Sequence, residues 1–521
     1  MHSFDALIVG AGPTGLMLAN QLARRGIRAT IIDRHAGPAE QTRAIGVHAR
    51  TLEIYAKLGV DARALELGEI MQAGNIWAGG RPKVRIPLGA MGEGISPFPF
   101  VLMLGQDDNE RLLGEKLRAS GVTIQWHTEL VSLEQKADHV EVSLRGPDGA
   151  IRVVAARYVA GCDGGRSAVR DLNGIGFPGA PYEHVFFVAD TEAAGTMVAG
   201  EMNIYMWRDG FHLYFPMRGK DRWRVIGILP EALRAKEGVV FDDVVPHLRG
   251  EGGGYIEFRS CAWFSTYRIH HRVTERFRDR RCFLLGDAAH VHSPVGAQGM
   301  NTGLQDAYNL AWKLALVVSG RAGDALLDSY EAERLPVAQR LLETTDRAFR
   351  LVVSKNWLGS LFRTRVLPNV AAFAMSREPV RRAAFRALSQ TDIAYHRSPL
   401  SQALGRLPKG APQPGDRFPW MHLRFRPDGP REDLFQRLDD TRFNLLVFGQ
   451  SVSAAEINVP DDLLSVHAIA HESGNAAELA RVSIEAPTFY LLRPDGHVGL
   501  AGTGLRLITV RRWLESAHLS L

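Results

Sequence analysis

Three glycines near the start of the chain have the spacing of a phosphate-binding turn. Gly10, Gly12 and Gly15 stand between a short apolar run and a segment whose apolar residues recur at helical spacing. In such a strand–turn–helix unit the first glycine permits a tight turn, the second lets a pyrophosphate approach the backbone, and the third lets helix and strand pack closely. The unpaired N–H groups at the helix start favour phosphate. The turn, which includes Pro13 and Thr14, therefore predicts a dinucleotide site.

An acidic residue stands at the end of the second strand of this unit. Asp33, followed by Arg34, comes directly after the predicted second strand, 27–32. A carboxylate at this place can accept hydrogen bonds from a ribose. The acid therefore supports the interpretation of the glycine turn.

Two further polar pairs follow predicted strands. Asp163 and Gly164 end a hairpin strand, and Gly286 and Asp287 follow the apolar run 282–285. Carboxylates at the carboxyl ends of parallel strands are well placed to bind polar ligand groups. After Asp287 come mostly small residues and then a helix beginning near Gly299, which predicts a loop where the backbone approaches a ligand closely.

The three motifs, in this order and spacing, resemble those of the class A flavoprotein aromatic hydroxylases, which are FAD-dependent monooxygenases. The resemblance covers residues 1 to about 350. The C-terminal part is similar to the thioredoxin-like domain of the phenol-hydroxylase and polyketide-hydroxylase branch, although residues 415–521 contain no cysteine and hence no CxxC motif. The predicted fold class is thus α/β and α+β. It comprises an FAD-binding Rossmann-like domain with an inserted antiparallel β-sheet substrate domain, a helical segment and a C-terminal thioredoxin-like domain.

The resemblance implies an activity and its cosubstrates. We expect an FAD-dependent monooxygenase that consumes O2 and NADPH or NADH, and hydroxylates a phenolic or polyketide-like aromatic substrate through a flavin C4a-hydroperoxide. Two alternatives stay open: Baeyer–Villiger oxygenation on the same scaffold, and a non-oxygenating flavoprotein that binds an aromatic ligand. NADPH and NADH are not distinguished.

The resemblance also implies residue roles. The first glycine turn would hold the FAD pyrophosphate, Asp33 the adenosine ribose and Asp287 the ribityl chain, while Asp163 would serve both FAD and the nicotinamide cosubstrate. One departure stands out, because the family usually has glycine where this chain has Ala297. The implied cofactor-binding residues are Gly10, Gly12, Pro13, Thr14, Gly15, Asp33, Arg34, Arg43, Gln106, Asp163, Gly286, Asp287, Pro294, Gly296, Gly299, Met300 and Asn301.

Aromatic residues supply the candidates for substrate binding. A phenolate is a better nucleophile than a phenol, so a base such as His212 or Tyr214 is conceivable. Together with Arg43 and Pro294 these two form the candidate catalytic set. For each single aromatic residue, ordinary core packing is the competing interpretation. The candidate substrate contacts are Phe98, Phe100, Trp207, His212, Tyr214 and Phe215.

The elements that must position these residues divide the chain into four parts. We predict an FAD domain from residues 1–175 and 271–350, with the substrate domain, 176–270, inserted between them. A helical segment, 351–406, and a Pro/Gly-rich linker precede the C-terminal domain, 415–521.

Composition sets outer limits on function. The 521 residues carry a net charge of +5 without a Lys/Arg run, which argues against nucleic-acid binding. The three cysteines have no metal-ligand spacing, and no metal is expected. We find neither a signal peptide nor an apolar run long enough to span a membrane. The sequence therefore predicts a cytoplasmic enzyme, either a monomer or a homodimer.

Overall fold

A computed structural model describes residues 3–39, 44–207, 210–251, 255–293, 296–353, 367–426, 429–450, 452, 457–469 and 473–521. Its strands are β1 Ser3–Val9, β2 Ala29–Ile32, β3 Gly46–Val47, β4 Glu69–Ile70, β5 Ala73–Ala78, β6 Arg81–Pro87, β7 Leu102–Met103, β8 Ile124–Gln125, β9 Glu129–Gln135, β10 Val140–Arg145, β11 Ile151–Gly161, β12 Gly179–Gly195, β13 Met202–Trp207, β14 Gly210–Pro216, β15 Arg222–Ile228, β16 Ile256–Val273, β17 Arg278–Asp279, β18 Cys282–Leu284, β19 His290–Val291, β20 Gln402–Leu404, β21 His422–Leu423, β22 Glu432–Asp433, β23 Phe443–Phe448, β24 Leu464–Ile469, β25 Thr488–Leu492 and β26 Val498–Gly502. Its helices are α1 Pro13–Ala23, α2 Ala49–Leu58, α3 Asp61–Leu67, α4 Gln106–Ala119, α5 Ala168–Leu172, α6 Phe241–Glu251, α7 Gly299–Val318, α8 Asp328–Val353, α9 Leu367–Met375, α10 Glu378–Ser389, α11 Leu434–Arg437, α12 Ser473–Arg481 and α13 Leu507–Ser516.

The first sheet carries the glycine turn. Its strand order is β17-β18-β11-β1-β2-β8, and β1 runs parallel to both β11 and β2. The central strands are apolar and buried, as parallel strands covered on both faces should be. The hairpin predicted over 140–164 is confirmed, since β10 pairs antiparallel with β11 across a turn in which Gly149 has φ +75°. The predicted mixed α/β architecture is thus confirmed.

The second sheet differs from the prediction in its membership. Strands β12 to β16 pair antiparallel within the predicted insert, but β5 and β6 from the N-terminal part also join, and β5 runs parallel to β13. All six residues of β5 are buried. A buried strand needs partners for its backbone groups on both edges, and β6 and β13 supply them. The sheet is therefore neither wholly antiparallel nor confined to 176–270.

Two helices cover different faces of these sheets. Helix α7, which begins at Gly299 as predicted, packs against α1 beside the first sheet. It is buried along nearly its whole length and carries a buried aspartate, Asp306, and a buried lysine, Lys313. Helix α6 packs on the second sheet through Phe241, Val244 and Leu248. The opposite face of that sheet packs toward the core around the first sheet through Met202 and Phe215.

The C-terminal part forms a mixed sheet of five strands, in the order β20-β26-β25-β23-β24. It docks on the FAD domain through the turn 493–496, where Gly496 has φ +77° and Arg493 donates to the carbonyl of His497. The Arg493 guanidinium donates to both carboxylate oxygens of Glu333 on α8, at 2.5 and 3.0 Å. Lys313 of α7 donates to the same carboxylate at 2.7 Å. A buried ionic cluster therefore joins the two parts.

No helix in the described ranges is long and apolar enough to cross a membrane. Among the described residues there is also no group of histidine, cysteine and acidic side chains that could hold a metal ion.

Candidate functional site

The three polar motifs meet at one edge of the first sheet. Val9, Gly161 and Leu284 are register partners on three neighbouring parallel strands, β1, β11 and β18. Each motif follows its strand directly, so the turns 10–15, 163–164 and 286–287 emerge side by side. The carboxyl edge of a parallel sheet is where such folds bind ligands. The three motifs therefore converge because their strands are neighbours in the sheet.

The glycine turn needs its outer glycines for packing and leaves its middle glycine open. A Cβ atom on Gly10, whose φ is +101°, would lie 2.4 Å from the Cys162 carbonyl oxygen. On Gly15 it would lie 1.9 Å from the carbonyl oxygen of Gly10, whereas on Gly12 it would meet nothing within 4 Å. Gly12 also precedes α1 without a side-chain cap. The turn thus presents an open helix start with free space above it.

Asp33 ties the end of β2 to this turn. One carboxylate oxygen accepts the N–H of Ala11 at 2.7 Å, and the other accepts the N–H of His35 at 2.8 Å. Arg34 is exposed beside it. The side chain is therefore held at the rim of the glycine turn, and its predicted contact with the adenosine ribose stays a prediction.

The Gly286–Asp287 turn lies against the glycine turn. A Cβ atom on Gly286 would lie 2.7 Å from the Thr14 hydroxyl, and one on Gly303 of α7 would lie 2.4 Å from the same atom. Only glycines allow α1, α7 and this turn to approach so closely. Asp287 itself is exposed at the edge of the sheet.

The Asp163 carboxylate faces the start of α5. Its carboxylate accepts the Ser167 hydroxyl at 2.5 Å and the N–H of Ala168 at 2.7 Å. Burial raises the pKa of Asp163, and these hydrogen bonds oppose the shift. The carboxylate therefore helps to hold the start of α5, and its predicted contact with FAD and the nicotinamide stays a prediction.

The loop before α7 adopts a backbone that suits glycine. Gly296 has φ +79°, and Ala297 has φ +52°, in the left-handed region that a residue with a Cβ seldom occupies. The Ala297 methyl sits where Gly46 has no side chain, because a Cβ on Gly46 would come within 2.7 Å of it. The methyl group of Ala297 is thus accommodated by a second glycine, Gly46.

Hydrogen bonds from two buried side chains, Asn301 and His48, hold this loop in place. The Asn301 amide donates to the carbonyls of Gly46 and Ala297, each at 2.9 Å, and its oxygen accepts the N–H of His48 at 2.9 Å. The His48 Nε2–H donates to the carbonyl of Gly296 at 2.8 Å. Burial lowers the pKa of His48 to about 4, so the ring is neutral at neutral pH. Sequence reasoning assigned Asn301 to the cofactor and interpreted His48 as a structural residue, outside the candidate site.

Two other predicted cofactor residues contact neighbouring side chains. Gln106 donates to Glu110 at 2.9 Å, and Glu110 in turn accepts the N–H of Ala39 at 2.7 Å. The Met300 sulfur accepts the Asn109 amide at 3.2 Å. Both residues lie on the helices that flank the loop. The predicted Arg43 and Pro294 lie outside the described residues.

The predicted substrate residues fall on two faces of the second sheet. Phe215 and Phe100 pack toward the FAD-domain core, and Phe98, buried within that core, has its ring 6.4 Å from that of Phe100. Tyr214 belongs to the cluster beneath α6. The structure therefore brings the three phenylalanines to the FAD-domain side, and places Tyr214 on the other side of the sheet.

His212 also lies beneath α6. Its ring centroid is 3.8 Å from that of Trp207 and 5.3 Å from that of His247 on α6. His212 is fully buried, and burial holds its pKa well below the usual value. Neither the His212 ring nitrogens nor the Tyr214 hydroxyl have a hydrogen-bond partner among the described residues. A general base must reach the proton that it removes. The geometry thus gives no support to His212 or Tyr214 as the base, and sequence reasoning could not tell which face they occupy.

A family comparison agrees with this arrangement of motifs. Residues 3–345 match the family described as FAD binding domain. The 6-methylpretetramide 4-monooxygenase of Streptomyces rimosus is 33% identical, over 99% of this chain and 94% of that protein.

Two solved structures share the fold over the whole chain. An anhydrotetracycline hydroxylase from Streptomyces rimosus superposes with a TM-score of 0.77 at 29% identity, covering 99% of both chains. An aklavinone-11 hydroxylase, in complex with FAD and aklavinone, superposes with a TM-score of 0.80 at 25% identity, again over 99% of both chains. The site and these relatives together assign the chain to the FAD binding domain family, as an FAD-dependent aromatic monooxygenase.

Proposed function

We propose that this monooxygenase hydroxylates a phenolic ring of a fused, polyketide-like compound, using O2 and NADPH or NADH. The observation that carries the proposal is the register of Val9, Gly161 and Leu284, which sets three cofactor motifs beside one another. The names of the relatives support the substrate class, because they specify 6-methylpretetramide, anhydrotetracycline and aklavinone. Baeyer–Villiger oxygenation and non-oxygenating ligand binding are the outcomes that the experiment below must exclude.

The residues at the sheet edge fit FAD. The open space above Gly12 and the uncapped start of α1 suit a pyrophosphate. In our assignment Asp33 holds the adenosine ribose and Asp287 the ribityl chain, while the loop 296–301 lines the flavin ring. Bound FAD supplies the electron transfer from the nicotinamide to O2 and the oxygen transfer to the ring.

The protein's own groups would stabilise the bound flavin and shield it from water. Helix α7 begins at Gly299, within the loop 296–301 that we assign to the flavin ring, and its N-terminus carries a positive partial charge. A helix N-terminus stabilises a negatively charged ring edge by about 0.3–1 kcal/mol. Phe98, Phe100 and Phe215 offer an apolar wall on the FAD-domain side of the second sheet. An apolar wall excludes the water that would otherwise divert the oxygen transfer. We assign no general base.

We further propose a thioredoxin-like fold for the C-terminal domain. The order β26-β25-β23-β24, with β23 parallel to β24 and antiparallel to β25, supports it. We also propose a cytoplasmic enzyme, monomeric or homodimeric. The three cysteines are all free, which fits a reducing compartment.

The test uses the purified holoenzyme under ¹⁸O2 with anhydrotetracycline and 2-naphthol as probes. We expect NADPH or NADH oxidation to rise with a phenolic probe, and the product to gain one labelled oxygen as a ring hydroxyl. A labelled lactone would establish the Baeyer–Villiger reaction instead. Stimulated nicotinamide oxidation without label in any product would refute oxygenation of this class of substrate.

A further inference from the structure

A buried carboxylate on α7 holds the Gly286–Asp287 turn from behind. One oxygen of Asp306 accepts the N–H of Gly286 at 3.0 Å and is 2.7 Å from Nε2 of His290. Its other oxygen accepts the Nε–H of Arg334 on α8 at 2.6 Å. All three side chains that meet here are almost completely buried. The carboxylate thus bridges the turn, the strand after it and α8.

Arg334 extends this network away from the turn. It donates to the carbonyl of Thr302 at 3.1 Å and to the hydroxyl of Tyr395 at 3.0 Å. The Tyr395 ring lies under the Arg493 guanidinium, 5.2 Å from its centroid, and beside the ring of His497 at 4.4 Å. A chain of buried polar contacts therefore runs from the C-terminal domain to the Gly286–Asp287 turn.

The network is electrostatically balanced. Burial alone would raise the pKa of Asp306, but Arg334 and His290 outweigh it and hold the pKa below its ordinary value. An ionised buried carboxylate is costly unless it is fully paired. Asp306 is paired on both oxygens, so its position, and that of the Gly286 N–H bonded to it, is well defined.

We propose that Asp306 is a positioning residue for FAD, which fixes the Gly286–Asp287 turn, and that Arg334 and Tyr395 keep Asp306 in place. The inference rests on the proposed contact of Asp287 with FAD. A turn that is ordered before the cofactor arrives saves the free energy of ordering it on binding. Arg493 and His497 of the C-terminal domain contact Tyr395, so that domain packs against the far end of this network.

The test measures the dissociation constant of FAD from the reconstituted full-length apoprotein, by quenching of flavin fluorescence. We expect Asp306→Asn to weaken binding by about tenfold or more, the size expected for a lost hydrogen bond to a charged group. Tyr395→Phe removes only the far hydroxyl, so we expect a weakening of about threefold. His290→Phe keeps the ring stacked on Phe277, 5.8 Å away, and loses the bond to Asp306.

A matched control lies on the same helix. Tyr308 is also buried, and its hydroxyl donates to Asp440 at 3.1 Å, on the side of α7 away from the turn. Tyr308→Phe therefore loses an equivalent bond to a charged group, and its FAD affinity should stay within twofold of the parent. Melting temperatures of the apoproteins report any common loss of stability.

The measurements distinguish the role of Asp306 from the assigned role of Asp287. Asp287→Ala must weaken FAD binding, and if it does not, the assigned role of Asp287 fails. If Asp287→Ala weakens binding but Tyr395→Phe and His290→Phe match the Tyr308→Phe control, the role of Asp306 is overturned. The same two variants decide the matter if Asp306→Asn does not fold.

Discussion

The methyl group of Ala297 and the missing side chain of Gly46 form one packing unit, and exchanging them tests the geometry of the flavin loop. A Cβ on Gly46 would lie 2.7 Å from the Ala297 Cβ, about 1 Å closer than an ordinary carbon–carbon contact. The Asn301 amide pins both backbones by donating to the two carbonyls at 2.9 Å. Neither the backbone at Gly46 nor the backbone at Ala297 can therefore shift easily to relieve the contact.

The magnitudes follow from this contact. Gly46→Ala should lower the free energy of unfolding by about 1–3 kcal/mol, as overpacking does. Ala297→Gly relieves a left-handed alanine, worth about 1–2 kcal/mol, and loses about 0.4–1 kcal/mol through the more flexible unfolded chain. Its net effect should be a stabilisation of about 1 kcal/mol or less. In the double variant the clash disappears, so the two changes should couple by about 1–2 kcal/mol.

The assay is a double-mutant cycle on the apoprotein. Urea midpoints and slopes from near-ultraviolet circular dichroism give the unfolding free energies of the four proteins, and FAD titrations of the same samples show whether the loop still accepts the cofactor. Free energies that add within about 0.5 kcal/mol would refute the proposed contact between Gly46 and Ala297.

Three other perturbations test separate parts of the structure. Gly15→Ala should abolish folding or FAD binding, because its Cβ would lie 1.9 Å from the carbonyl oxygen of Gly10. The Cβ of Gly12→Ala would meet nothing within 4 Å, so this variant should keep the fold and weaken only FAD binding. Equal melting temperatures of the two variants would contradict this difference. Burial lowers the pKa of His48 from 6.5 to about 4, so the neutral ring stabilises the fold fully above pH ~6.5 and this contribution is lost as pH falls from ~6.5 through 4. His48→Gln should therefore remove up to about 3 kcal/mol of the pH dependence of the unfolding free energy, measured by urea denaturation over this range. An unchanged pH dependence would refute the buried neutral ring. Glu333→Gln leaves Lys313 buried without its paired carboxylate and leaves Arg493 with Asp495 alone, so it should cost about 3–5 kcal/mol in denaturant unfolding. Arg321→Ala at the exposed pair with Asp462 should cost about 1 kcal/mol or less. Similar losses would show that the ionic cluster does not hold the C-terminal domain.

Several parts of the site could be predicted because they depend on neighbours in sequence. The strand–turn–helix unit around Gly10 and Gly15 and the helix start at Gly299 follow from local sterics and from helical periodicity. The resemblance also draws attention to Ala297, whose φ of +52° is a backbone conformation that favours glycine. A charged residue within an apolar helical pattern, such as Asp306, was the signal that could have revealed the network behind the turn.

Other parts could not be predicted because they depend on the path of distant segments. Alternation along β14 says that Tyr214 and Phe215 point to opposite faces, but not which face meets the FAD domain. The hairpin 73–87 joins the second sheet through a parallel pairing with β13, more than a hundred residues further along the chain. No local pattern encodes such a pairing.

Residue types and their spacing predict the kinds of group that this protein offers to a ligand: a glycine turn with room for a pyrophosphate, acids at strand ends, and a backbone loop shaped for close approach. Those properties reside in single residues and their immediate neighbours. Contacts between distant segments, in contrast, place Val9, Gly161 and Leu284 side by side, turn His212 toward α6, and bring Asp306 to the Gly286 N–H. Strand order and helix packing arise from contacts between segments far apart in the chain, and they determine which of the predicted groups can act together.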